Sequence, residues 1–257
     1  MKQRFIFYFY APLCLALLSS ALSPVRAAEK QTRLEQHTRT YSVGLGATRL
    51  VYTPGSPGVS VAINNPNDFP ILAQSEILTE ENRGQVLFSV TPPLFRLDAG
   101  QQSRVRIIMT GEPAAKDRES LNWLCVTGIP PEKDDVWNEK PAKKANNATL
   151  NLQVKLRQCI KLFTRPAKLS GSSDTVSAQV TWYRDPKGLR AVNNSPYFIN
   201  IKSITVGDKS IKTPEYIKPF SNQIYAFSSS AGLANELRYV LINDSGGESA
   251  PIFARIK

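Results

Sequence analysis

ATLNLQVKLRQCIKLFTRP runs from Ala148 to Pro166, and its reading decides the fold. Leu150, Leu152, Val154 and Leu156 alternate with Asn151, Gln153 and Lys155. Ile160 and Leu162 carry the apolar pattern past Arg157, Gln158 and Cys159. Successive side chains of a strand point to opposite faces, so this period of two predicts one long strand with an apolar and a polar side. Strands average about 5–6 residues, and this stretch is roughly twice that. Its apolar row is either the core face of a sandwich or a surface offered to something outside the chain. Alternation alone is the same in both cases.

Other strands surround it. Tyr41, Val43 and Leu45 alternate and lead into Leu50, Val51 and Tyr52, which predicts one extended strand bent at Gly44 or Gly46. Val59 to Ile63, Pro70 to Leu78, Val86 to Val90, Phe95 to Leu97, Arg104 to Met109 and Leu121 to Ile129 follow. Gly, Pro, Asn and Asp turns separate them. About seven short strands over roughly 125 residues predict an immunoglobulin-like sandwich. Arg165-Pro166-Ala167-Lys168 marks a domain junction, because proline cannot extend a central strand. Beyond it, Val176 to Tyr183, Leu189 to Val192, Tyr197 to Ile204, Ile224 to Phe227, Glu236 to Ile242 and Pro251 to Ile256 predict a second, smaller sandwich. The fold class expected is all-β, with residues 28–165 as the first domain and 166–257 as the second.

The ends and the composition narrow the setting. Lys2 and Arg4, an apolar body from Phe5 to Leu22, and Val25-Arg26-Ala27 read as a signal peptide over residues 1–27, with a cut after Ala28 as the less suitable alternative. A retained membrane anchor is the other reading, but Pro12 interrupts the body and no later stretch is long and apolar enough to span a bilayer. An exported protein without stable membrane insertion is expected. Removing the segment takes three of the 32 basic residues and none of the 21 acids, leaving a net charge of +8. The remaining Lys and Arg are spread out, with no dense basic run or basic-aromatic motif, so nucleic acid is not an expected partner. Residues Glu29 to Thr40 are polar and read as a flexible tail.

Cys14 lies in the signal, so Cys125 and Cys159 remain as an even pair in an exported chain, which predicts a disulfide. The two strands that carry them are joined by a single loop, Glu132 to Asn147, and read as hairpin neighbours. On the chain-entropy account, closing that loop contributes about 3–4 kcal/mol.

The inventory for catalysis is poor. His37 is the sole histidine, so a His-dependent triad or a multi-His metal site is excluded by count. The acidic doublets Glu80-Glu81 and Asp134-Asp135 sit in polar loops and read as solvated faces. No GxSxG, P-loop or GxGxxG pattern occurs. No catalytic residue, cofactor or metal is expected, and binding is the stronger reading.

Seven segments then occur in order: Leu45-Gly-Ala-Thr-Arg-Leu-Val-Tyr52, Val90-Thr-Pro-Pro-Leu-Phe-Arg-Leu97, Asp117-Arg-Glu-Ser-Leu121, Gly128-Ile-Pro-Pro131, Ile160-Lys-Leu-Phe-Thr-Arg-Pro166, Asn193-Asn-Ser-Pro-Tyr197 and Ile242-Asn-Asp-Ser-Gly-Gly247. Together they resemble the PapD-like periplasmic chaperones of the chaperone–usher pilus pathway. The cysteine pair, the long 132–147 loop and the extended N-terminal strand resemble the long-loop subclass, which serves thin fibrillar surface polymers. The resemblance implies two immunoglobulin-like domains set at an angle, with a cleft between them. It implies a periplasmic chaperone that binds fimbrial or adhesin subunits and hands them to an outer-membrane usher. The binding mode is donor-strand complementation, in which the chaperone lends a strand to an incomplete sandwich.

Residue roles follow by matched motif. The donor row is Leu150, Leu152, Val154 and Leu156. Arg49 and Lys161, ordinary surface charges if read by themselves, match the two cations that hold the subunit's C-terminal carboxylate. Arg106, Glu119 and Asp244 match a charge cluster that ties the domains. Tyr41, Val43 and Leu45 match a second strand that edges the subunit. Self-association of the free form, to hide its apolar strands, is left open. The alternatives are a structural surface subunit or adhesin of the same sandwich type, and a secreted enzyme. A pilin would carry its donor extension at the N-terminus in a single incomplete domain, and an enzyme would need the catalytic set this chain lacks.

Overall fold

The computed structural model describes residues 35–131, 135, 149–169, 171–172, 175, 180–212, 216–226 and 235–257. The expected signal segment, nearly all of the 132–147 loop, residues 176–179 and Phe227 lie outside the described residues. Among the described residues there is no helix. The chain divides into two units, residues 1–37 with 143–150 and residues 38–142 with 151–257. Of the first, the described part is the outer end of two strands, β1 (Glu35–Tyr41) and β10 (Thr149–Lys155), which pair as a two-stranded sheet. The polar segment read as a flexible tail therefore ends in a strand. Threonine-rich residues such as Thr38-Arg39-Thr40-Tyr41 have good β-propensity once a partner strand supplies hydrogen bonds.

The second unit holds two sandwiches. In the first, a four-stranded sheet is built from β2 (Gly44–Leu45), β4 (Val59–Asn64), β6 (Phe88–Thr91) and β8 (Gln102–Met109), in the order β2-β4-β8-β6. A five-stranded sheet comprises β3 (Arg49–Tyr52), β5 (Ile71–Thr79), β7 (Leu94–Leu97), β9 (Ser120–Ile129) and β11 (Arg157–Thr164), in the order β3-β11-β9-β5-β7. Val61, Ile63, Val105 and Ile107 from one sheet meet Ile71, Leu124, Val126 and Leu162 from the other in one core. Each such aliphatic side chain contributes about 1.5–3 kcal/mol of burial. The single bent strand expected from Tyr41 to Tyr52 is instead three elements. β2 joins the four-stranded sheet and β3 the five-stranded one, so the intervening residues carry the chain from one layer to the other.

The stretch from Ala148 to Pro166 is likewise divided, at Leu156. Its N–H donates to the Tyr41 carbonyl at 3.0 Å, and its carbonyl accepts the Gly128 N–H at 3.1 Å. Gly128 permits the crossing: a Cβ there would lie 2.7 Å from the Tyr41 carbonyl oxygen. Past this point β11 runs antiparallel to β9 and parallel to β3. Cys159 stands directly opposite Cys125, with a Cα–Cα distance of 4.0 Å, and the two are joined in a disulfide.

The second sandwich packs a three-stranded sheet against a four-stranded one. The first contains β12 (Val180–Asp185), β13 (Gly188–Asn193) and β16 (Ser221–Ala226). The second contains β14 (Ile201–Val206), β15 (Lys209–Ile211), β17 (Glu236–Leu241) and β18 (Ile252–Arg255). Trp182 is the centre of this core, its ring 5.2 Å from Tyr239 and 6.0 Å from Tyr225. A third apolar cluster draws on both sandwiches: Leu121, Phe163 and Phe198, with Val51, Trp123 and Tyr216 packed around them.

Candidate functional site

The two halves of the dividing stretch have opposite surroundings. Leu150 is 47% exposed, Leu152 46% and Leu156 41%, and Val154 is half-buried. In β11 every residue from Ile160 to Thr164 is buried. Ile160 and Leu162 belong to the first core, while Phe163 on the other face belongs to the cluster shared with the second sandwich. A strand wrapped on both faces loses its polar side, so what it keeps there must be paired.

Lys161 and Arg49 are those polar residues. They stand opposite one another across the parallel β11–β3 pair, and both are buried. The Arg49 guanidinium donates from Nη1 to the Ile242 carbonyl at 3.3 Å, and Lys161 Nζ donates to Asn200 Oδ1 at 3.0 Å. The ammonium also lies 5.0 Å from the centre of the Tyr216 ring and 5.9 Å from that of Trp123. Two cations placed side by side offer a planar fork and a compact point charge, a combination suited to a carboxylate.

The turn that supplies the Ile242 carbonyl is shaped by its own residues. Asn243 Oδ1 accepts the Gly247 N–H at 2.7 Å, and the Gly246 N–H returns to the Asn243 carbonyl at 3.0 Å. Gly246 has φ +89°, and a Cβ on it would come within 2.2 Å of Thr48 Oγ1. The turn therefore seats directly against the residue before Arg49.

The same turn presents Asp244 to a buried charge cluster, and here the structure corrects the expected membership. Arg165, not Arg106, is the cation. Its Nε donates to Glu119 Oε1 at 2.7 Å, and Nη1 and Nη2 donate to the two Asp244 oxygens at 2.7 and 3.0 Å. Glu119 Oε2 accepts the Phe198 N–H at 2.8 Å. Burial pushes the Glu119 carboxyl up, and the Arg165 charge only partly offsets this. Burial works against the Arg165 charge too, but the hydrogen bonds to Asp244 and the Glu119 charge outweigh it and hold the guanidinium above its ordinary value. Arg106 lies between Val105 and Ile107, which both face the first core, so it points outward from the four-stranded sheet and bonds the Pro57 carbonyl. Arg165 continues the outward row of Lys161 and Phe163, and that parity in the sequence was the signal for it.

Tyr41 and Val43 are each 1% exposed and belong to the first core, with Leu45 packed against it. Edging a partner is done by a strand's backbone, so this burial of side chains does not bear on it. One further expectation changes. Glu80, read with Glu81 as a solvated face, has a mostly buried side chain. It accepts a hydrogen bond from Tyr216 Oη at 2.8 Å and pairs with Lys218 at 2.9 Å, while Glu81 stays exposed. His37 lies exposed in β1. Among the described residues no group of three His, Cys, Asp or Glu side chains is placed to hold a metal.

Comparison with known proteins agrees with this geometry. Residues 42–170 match the family described as pili and flagellar-assembly chaperone, PapD N-terminal domain, and residues 175–253 match the pili assembly chaperone PapD, C-terminal domain. Chaperone protein AfaB of Escherichia coli is 47% identical over 193 residues, 74% of this chain and 78% of that protein. Chaperone protein AggD of Escherichia coli is 39% identical over 239 residues, 91% of this chain and 94% of that protein. Among solved structures, the E. coli chaperone DraB superimposes with a TM-score of 0.75 at 43% identity, over 87% of this chain and 100% of that one. The SafB chaperone of Salmonella enterica, solved in complex with the SafA pilin, gives 0.75 at 36% identity, over 86% and 99%. With both domain families matched in order across most of its length, the chain belongs to the PapD family of pilus-assembly chaperones.

Proposed function

We propose that this chaperone captures subunits of a surface fibre in the periplasm by lending them β10, and passes them on to an outer-membrane usher. The observation that carries the reading is the contrast inside one stretch: an apolar row left open in β10, leading directly into a buried pair of cations. An incomplete subunit sandwich has an apolar groove and an unpaired sheet edge. Leu150, Leu152, Val154 and Leu156 have the period of two that fills such a groove while the β10 backbone completes the ladder. Arg49 and Lys161 receive the subunit's C-terminal carboxylate. Fixing one chain end sets the register, which matters because a slip of one residue turns every side chain to the wrong face. The Arg165–Glu119–Asp244 cluster keeps the two sandwiches in place around the anchor. The chemistry is association alone, so no bond-breaking group is assigned. SafB's complex with a pilin supports this partner class, and the reading as a structural subunit or adhesin has no observation in its favour.

The test is periplasmic co-expression with fibre subunits. The wild type should yield a soluble one-to-one complex. Arg49→Ala with Lys161→Ala should lose it while keeping the circular dichroism spectrum of the free protein. A double variant that still yields the full complex would remove the carboxylate anchor.

A further inference from the structure

We propose that Glu80 is a positioning residue for the Lys161 ammonium and acts through Tyr216. This rests on the reading of Lys161 as a carboxylate anchor and adds a residue to that site. Glu80 immediately follows β5 in the first sandwich, and Tyr216 comes from the second. The tyrosine ring is held at three points. Its hydroxyl donates to Glu80 Oε1 at 2.8 Å. It packs edge to face on Phe198, with centroids 5.4 Å apart. Its face lies 5.0 Å from Lys161 Nζ.

A lysine side chain is a flexible stem of four carbons, and a buried ammonium needs fixed partners if it is to stand in one place. Asn200 accepts a hydrogen bond from it, and the rings of Tyr216 and Trp123 stand beside it as aromatic walls. A phenol that donates to a carboxylate gains electron density in its ring, which strengthens the attraction of its face for a cation. Glu80 thus sets both the orientation and the charge distribution of the ring beside Lys161. Lys218 also pairs with Glu80, and the paired carboxylate holds the lysine above its ordinary value. Lys218 pairs with the same Glu80 oxygen that accepts the Tyr216 hydroxyl, so Lys218→Ala keeps the Tyr216–Glu80 bond and separates loss of the ion pair from loss of that bond.

Glu80→Gln, Tyr216→Phe and Lys218→Ala in the full-length exported protein test the proposal by two readouts. The first is the side-chain 1H–15N signal of Lys161, assigned by its loss in Lys161→Met. Glu80→Gln and Tyr216→Phe should shift it and speed its exchange with solvent, and Lys218→Ala should leave it in place. The second is binding of a synthetic alternating Val/Thr peptide as its free acid and as its carboxamide. The wild type should prefer the acid, and Glu80→Gln and Tyr216→Phe should each reduce that preference by about fivefold. An unmoved Lys161 signal in both variants overturns the proposal. So does a Lys218→Ala variant that matches Glu80→Gln in both readouts, since that would make Glu80 a strut between sandwiches only. If the wild type shows no preference for the acid while the Lys161 signal responds as expected, the carboxylate reading fails and the positioning role stands.

Discussion

β10 and β11 are two halves of one alternating stretch, and they share nothing in their surroundings. Of the four apolar side chains from Leu150 to Leu156, at and just past β10, three are more than two-fifths exposed. In β11 five consecutive residues are buried, because one face belongs to the first core and the other to the cluster shared between sandwiches. Alternation reports that a side chain has a preferred face. It does not report who covers that face, and in this protein the covering partner changes at Leu156.

The largest effects should invert between the halves. Leu152→Asp with Val154→Asp should weaken subunit capture by roughly 100-fold or more, since two apolar contacts are lost and two charges are put in their place. The thermal midpoint of the free protein should barely move, and normal capture by this variant would break the comparison. Leu162→Ala, on the covered side, should cost about 3 kcal/mol of stability by urea titration. Leu152→Ala should cost less than about 0.5 kcal/mol in the same experiment, as exposed substitutions do. Equal losses at the two positions would show that the open row is packed in solution.

The charge cluster sharpens the same contrast at a smaller scale. Arg165→Met leaves Glu119 buried without its cation and should cost about 3 kcal/mol, while Arg106→Met should fall within about 0.5 kcal/mol. Urea midpoints measured side by side would decide between the two arginines. Removing the bridge, by Cys125→Ser with Cys159→Ser, should cost about 3–4 kcal/mol in the same titration on the entropic account of a closed loop. Capture by the surviving folded protein should be unchanged, because the donor row and the cation pair do not depend on the bridge for their own contacts.

Much of the fold was legible as period two broken by Gly, Pro and Asn, and the opposed cysteines followed from one loop joining two strands. Sequence reasoning failed where a strand changes sheet. Tyr41 to Tyr52 reads as one run of alternating residues, yet the chain crosses between layers inside it, and hydropathy is the same on either side of such a crossing. Arg49 and Lys161 could be singled out from matched segments, but their burial could not, because it depends on Asn200, Tyr216 and Ile242 in the other sandwich. Glu80 was missed for the same reason: its two partners lie more than a hundred residues downstream. Arg165 was within reach, since residues 161, 163 and 165 share a parity that turns them toward the second sandwich, whereas Arg106 has core residues on both sides.

Leu156 gives this arrangement a mechanical meaning. The open strand meets the first sandwich at a fulcrum made of two backbone hydrogen bonds, one to Tyr41 and one to Gly128. Gly128 lacks the single carbon that would strike the Tyr41 carbonyl, so this fulcrum depends on an atom that is not there. A methyl group added at that spot would press on the Tyr41 carbonyl and disturb the point at which the chain passes from the open strand to the covered one.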